Sequence, residues 1–247
     1  MKRDWRAYAH RGGAREAAEN SLTAFRRAVD LGYSYLETDV RPSRDGVAVV
    51  HHDARLDRTT DAVGAVRERT WQELRQVRLA DGTTPLRLEE LLEEFPGAHI
   101  TVDAKEQGSV TAIVDAIRRC RAVERVCVAS FSPRRLGALR RMLPEAESGA
   151  HPWEVLQVRA IGRPVTAARQ SLRASRVQVP LRAMGLPFAE PGFIARAHRL
   201  GLAVDVWTVD DPAEMARLID LGVDGIMTDS PTVLRSVLAA AGRPLAA

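Results

Sequence analysis

Lysine is almost absent from this chain of 247 residues: of 36 Lys and Arg, only Lys2 and Lys105 are lysine. Arg is the default cation, so the internal lysine marks a place that calls for a compact charge on a flexible stem. Cysteine is scarce too. Two residues, Cys120 and Cys127, make no disulfide framework, and their spacing fits no metal site. No apolar run is long enough to span a bilayer. No signal-peptide stretch precedes the first strand, and no lipidation motif stands at the C-terminus. Neither an amphipathic basic helix nor an apolar loop is visible. These absences predict a cytoplasmic protein without stable membrane insertion.

A basic stripe with interleaved aromatics is also missing. The pI is 9.6, yet the formal net charge is only +4 and acids alternate with arginines throughout. A solvated mixed-charge surface is expected, and no nucleic-acid partner. No low-complexity tract or Pro/Gly linker divides the chain, so residues 1–247 are expected to form one domain.

What is present is an alternation of short β-branched runs with amphipathic stretches. Strands are expected at Tyr8–His10, Tyr35–Val40, His99–Asp103, Val126–Ser130, Ala146–Ala150, Val177–Val179, Ala203–Trp207 and Ile226–Thr228. Helices are expected at Leu22–Leu31, Val110–Arg119, Pro133–Met142, Val165–Leu172, Gly192–Leu200 and Pro212–Leu221, with a last one from Thr232. Between the second and third units lie an extra strand, Val47–His51, and two helical patterns, Trp71–Val77 and Leu88–Phe95. Eight strand–helix units with one small insertion predict an α/β fold, a (β/α)8 TIM barrel. A doubly wound sheet is the alternative, but no glycine-rich phosphate loop follows the first strand.

Barrel enzymes carry their chemistry at the C-terminal ends of strands, and the unusual polar residues fall there. Glu37 and Asp39 are two apart on a strand and therefore share a face, as do Asp103 and Lys105. Close carboxylates repel unless a proton or cation separates them. An all-oxygen site suits Ca2+ or Mg2+ and poorly suits zinc. His10 and His52 form an acid–base pair titrating near neutrality; His51 beside His52 faces the other way, and spacing alone does not choose between them. Arg11 and Lys105 offer positive charge to an anionic substrate. Lys105 is alternatively a Schiff-base nucleophile, although neighbouring carboxylates keep such an amine protonated. Trp207 is a candidate wall for the organic part of the substrate. Thr208 and Ser230 follow strands seven and eight, where barrels often bind phosphate.

These residues carry a family resemblance. His10-Arg11, Glu37-Thr38-Asp39 and His52-Asp53, in this order, resemble the glycerophosphodiester phosphodiesterase family. So do Glu19-Asn20-Ser21, Asp45-Gly46-Val47 and Leu56-Asp57-Arg58-Thr59-Thr60, with weaker echoes at Lys105, Ser130-Phe131, Trp207-Thr208-Val209 and Gly222-Val223-Asp224-Gly225. The resemblance implies a barrel that hydrolyses glycerophosphodiesters to glycerol 3-phosphate and an alcohol. It implies one divalent cation held by Glu37, Asp39 and Asp103, and it selects His52 over His51 as partner of His10. Two positions depart from the family pattern: Asp103 stands where Glu is usual, and Ala18 stands where a proline usually precedes the Glu of Glu19-Asn20. Three rival readings remain at this level: a sphingomyelinase D-like phospholipase using the same site, a Schiff-base lyase on Lys105, and a scaffold that binds polyanions.

Overall fold

The computed structural model describes residues 5–159 and 172–245. Its core is a ring of parallel strands in the order β7-β6-β5-β2-β1-β12-β11-β8. These are β1 (Arg6–His10), β2 (Tyr35–Pro42), β5 (His99–Ala104), β6 (Val126–Ala129), β7 (Glu147–Ser148), β8 (Arg176–Pro180), β11 (Ala203–Trp207) and β12 (Gly225–Thr228). The ring closes between β7 and β8. Gly149 bridges Arg176, with Ala150 N donating to Arg176 O at 2.8 Å and Ser175 N to Ser148 O at 3.0 Å. The barrel is thereby nearly closed, its two end strands joined by this short bridge.

The strand sequences explain their place. A parallel strand covered by helices is buried on both faces and reads as a nearly continuous apolar run. Val102, Val128, Val177, Val204, Val206 and Ile226 are all fully or almost fully buried. Helices follow most strands and start at recognisable signals. Ser21 caps Leu22–Asp30 by accepting from Ala24 N at 3.1 Å, and Asp211 caps Pro212–Leu221 by accepting from Glu214 N at 2.8 Å. Pro133, Pro191, Pro212 and Pro231 each open a helix, where a missing N–H costs nothing.

The insertion is larger than a single strand. The strand β3 (Ala48–Val50) pairs antiparallel with β2, and β4 (Leu86–Arg87) pairs with β3. Between them Val49, Leu56, Val66, Leu74 and Val77 form a small apolar core separate from the main one. Here the helix starting at Trp71 stops at Leu74 instead of Val77.

The fifth and sixth units differ most from expectation. β7 is two residues long, and a helix at Pro152–Arg159 follows it. The helix expected at Val165–Leu172 lies outside the described residues except for Leu172, which is not helical. After β8 comes an unexpected hairpin, β9 (Arg182–Ala183) with β10 (Leu186–Pro187). Its two-residue strands and flanking prolines hide any period-2 signal.

Candidate active site at the barrel mouth

Register brings the acids together. In a parallel pair, aligned residues on neighbouring strands face the same side. His10 of β1 aligns with Glu37 of β2, and Asp39 of β2 aligns with Asp103 of β5. The i, i+2 spacing then puts Glu37, Asp39, Asp103 and Lys105 on one surface. A cavity of about 410 Å³ opens there, lined by His10, Arg11, Glu37, Asp39, His52, Asp103, Lys105 and Trp207, all eight residues named from the sequence. Thr208 and Ser230 do not line it.

Lys105 joins two carboxylates. Its Nζ lies 2.7 Å from Asp39 Oδ1 and 2.6 Å from Asp103 Oδ2. Burial pushes the ammonium down, but the two aspartates outweigh it and leave Lys105 above its ordinary value. A charged amine is not a nucleophile, so this geometry disfavours the Schiff-base reading. Asp39 is buried, which raises its carboxyl. Lys105, Arg11 and His52 reverse the effect and hold it below the ordinary range. Glu37 goes the other way. Burial and the neighbouring Asp39 charge push it up to about 7, against the pull of His10, Lys105 and Arg11.

Among the described residues, two buried carboxylate oxygens lack a hydrogen-bond partner: Glu37 Oε2 and Asp103 Oδ1. Buried acceptors are rarely left so. Hard anionic oxygens without a donor are the donor set that suits Ca2+ or Mg2+. Among the described residues, however, no group of three or more His, Cys, Asp or Glu is already gathered as a metal shell. The Lys105 ammonium stands between two of the three acids.

Each histidine is held by its own carboxylate. His10 Nδ1 donates to Asp229 Oδ1 at 2.6 Å, and its Nε2 lies 3.6 Å from Glu37 Oε2. Burial lowers the imidazole. Glu37 and Asp229 overcome this and raise it above its ordinary value. His52 Nδ1 donates to Asp53 Oδ1 at 2.7 Å. His51 is buried and turned the other way, its Nε2 3.2 Å from the Arg55 carbonyl.

A charged chain links the two histidine arms. Arg11 lies 3.0 Å from Asp39 Oδ2 and 3.3 Å from Glu19. Glu19 also accepts two bonds from Arg58, at 2.7 and 2.8 Å. Arg58 reaches Asp53 at 2.6 Å and, with His52, holds that carboxyl well below the usual range. The turn carrying Arg11 is unusual. Arg11 has φ +52°, followed by Gly12 at +82° and Gly13 at +102°. A Cβ on Gly12 would sit 2.7 Å from Ala24 Cβ, and one on Gly13 would sit 2.5 Å from Pro231 Cγ. Glycine is therefore required where the loop lies against two helices.

The sequence places Asp229 at the end of a strand but misses its role, which the barrel reveals: β12 pairs with β1, Ala9 aligned with Thr228, so Asp229, just past β12, meets His10, the last residue of β1. The sequence also misses Arg58 and Glu19 as links between the histidines. Their presence in the family-like segments was the available signal.

The far side of the cavity is apolar. Trp207 meets Phe131 edge-on at 5.9 Å, and Val155, Leu156, Met184 and Phe188 extend the wall. Phe131, Trp153, Met184 and Leu186 reach solvent in the segments that follow β6, β7 and β8. Each loop supplies only one or two of them, so no segment looks apolar by itself. No helix among the described residues is long and apolar enough to cross a membrane.

A (β/α)8 barrel with two carboxylate-bound histidines beside an acid–lysine cluster defines a phosphoric diester hydrolase as its class. The model of the glycerophosphoryl diester phosphodiesterase family matches residues 10–233, and the chain belongs to that family. It is 38% identical over 241 residues to a probable glycerophosphodiester phosphodiesterase 2 of Mycobacterium tuberculosis, covering 96% of this chain and 91% of that one. The crystal structure of a putative glycerophosphoryl diester phosphodiesterase of Silicibacter pomeroyi superposes with a TM-score of 0.83 at 26% identity, covering 100% of this chain and 97% of the other. An Oleispira antarctica phosphodiesterase, solved with the product sn-glycerol-3-phosphate, shares the fold at 21% identity and a TM-score of 0.80, covering 95% of this chain and 96% of that one.

Proposed function

We propose that the protein hydrolyses glycerophosphodiesters to glycerol 3-phosphate and an alcohol, with the help of one divalent cation. The observation that carries this is the meeting of His10 and His52 on one cavity with Glu37, Asp39, Asp103, Arg11 and Lys105. Family membership and the name of the M. tuberculosis relative support the same reading.

Glu37, Asp39 and Asp103 would hold Ca2+ or Mg2+, and the orphaned oxygens of Glu37 and Asp103 support this assignment. Such a cation supplies Lewis-acid polarisation of a non-bridging phosphate oxygen. Arg11 and Lys105 bind and neutralise the diester charge as it grows during attack. Of the pair His10 and His52, one accepts the proton of the attacking hydroxyl and the other protonates the leaving alkoxide. With Nδ1 of each ring bonded to an aspartate, Nε2 is the nitrogen that moves the proton. Trp207 packs against the carbon skeleton of the substrate and limits water on that side. The chain acts as one domain on a small-molecule substrate; the free thiols of Cys120 and Cys127 suit a cytoplasmic setting.

The test is hydrolysis of glycerophosphocholine, and of bis(p-nitrophenyl) phosphate as a generic diester, with and without EDTA. Turnover that stops on chelation and returns with Ca2+ or Mg2+ is expected. Full activity after metal removal ends the cation assignment, and wild-type turnover by His10→Ala ends the acid–base assignment.

A further inference from the structure

Among the described residues, four of the five large apolar side chains that reach solvent, all but Val63 of the insertion, stand on the segments around one opening. Phe131 is 57% exposed, Trp153 68%, Met184 93% and Leu186 41%. They come from the segments after three consecutive barrel strands, β6, β7 and β8, so they share the C-terminal mouth. These segments are fastened to one another. His151 Nε2 bonds the Phe131 carbonyl at 3.0 Å. Arg159 donates to the Pro187 carbonyl and stacks 5.3 Å over the Phe188 ring. The hairpin therefore holds Met184 at its tip, out in water. An apolar cluster built on a braced platform and left exposed marks a contact surface.

The acids beside it, Glu154 and Glu190, are each paired with an arginine, which leaves two arginines over. Arg134 and Arg182 are exposed, and among the described residues neither is paired with a carboxylate. Glu154, the acid of the neighbouring helix, is already bound to Arg140 at 2.9 Å. Phe131 and Met184 also line the cavity, so the apolar surface runs unbroken from the rim toward the polar floor. A second copy of the chain seated on this rim would stop the mouth through which substrate enters. A lipid surface would instead present phosphodiesters to it.

We propose that this rim docks reversibly on an anionic lipid bilayer, with Trp153, Met184 and Leu186 entering the acyl boundary and Arg134 and Arg182 meeting headgroup phosphates. Binding of this kind scales with the apolar area inserted and with attraction to anionic lipid, and it needs no spanning segment.

The experiment uses the whole chain with vesicles of phosphatidylcholine containing phosphatidylglycerol as the minority lipid. The protein is expected to co-sediment with them, and its tryptophan emission to shift to the blue as Trp153 leaves water. Trp153→Ser combined with Leu186→Ser changes residues outside the cavity lining. It is expected to weaken vesicle partition by about tenfold or more while leaving turnover of a soluble diester unchanged. Binding and turnover are read separately, so the docking surface and the reaction stand or fall independently. No vesicle binding by the wild type, or equal binding by the double variant, overturns the proposal. So does a dimer, seen by light scattering, that the double variant loses.

Discussion

His10 and Asp229 stand 219 positions apart in sequence and 2.6 Å apart in space, Nδ1 to Oδ1. The contact exists because β12 closes onto β1, and it gives the His10 ring one orientation and one tautomer. Carboxylates behind metal-bound histidines are typically worth ten- to a hundredfold in activity, and a histidine that moves a proton depends on its carboxylate at least as much. Asp229→Asn is expected to lower kcat/KM by about that factor. The aspartate also helps raise the His10 imidazole. Its loss should move the limb of the pH–rate profile that belongs to His10 toward lower pH. An unmoved profile would mean that Asp229 serves the fold alone.

Lys105 makes a second expectation. Without its ammonium, Asp39 and Asp103 face each other with no cation between them. Breaking a buried pair from one side costs on the order of 3 kcal/mol. Lys105→Met should therefore melt earlier in EDTA and lose most turnover. Added Ca2+ or Mg2+ should recover part of the melting temperature, because it replaces the missing charge. Borohydride with a carbonyl compound should label neither protein.

Calorimetric titration with Ca2+ or Mg2+ examines the cation assignment without reference to activity. The wild type is expected to bind one ion per chain. Glu37→Gln together with Asp103→Asn, which removes the negative charge of both carboxylates that carry an unpartnered oxygen, should abolish the heat. Undiminished binding by this variant would place the ion elsewhere.

Glu154 governs acid stability at the fifth unit. It accepts from Arg140, His151 N and Arg173 N. Burial raises its carboxyl, but these bonds outweigh burial and hold it below the ordinary value. A group depressed in the folded state stabilises fully above the ordinary glutamate range. That stabilisation fades as pH falls through the range and below. Glu154→Gln should cost on the order of 2 kcal/mol near neutrality and very little in strong acid. Urea unfolding at several pH values reads the difference.

The barrel was legible because its strands are buried on both faces and its helices begin at Ser, Asp or Pro, signals that are local. The site was legible where chemistry follows spacing: Glu37 with Asp39, and Asp103 with Lys105. It was not legible where partners are set by closure. Asp229 becomes a partner of His10 only once β12 lies beside β1. The helix at Pro152–Arg159 escaped because its apolar residues are not segregated to one side. The rim escaped because Phe131, Trp153, Met184 and Leu186 are scattered singly among polar neighbours.

The insertion keeps its own small core of Val49, Leu56, Val66, Leu74 and Val77, apart from the barrel interior. His52 projects from this lobe, whereas His10 belongs to the wall. The two imidazoles thus rest on foundations that can loosen at different temperatures, since separate clusters open with separate free energies. Heating should silence the enzyme while far-ultraviolet dichroism still reports an intact ring, and a cavity cut at Leu56 should widen that gap.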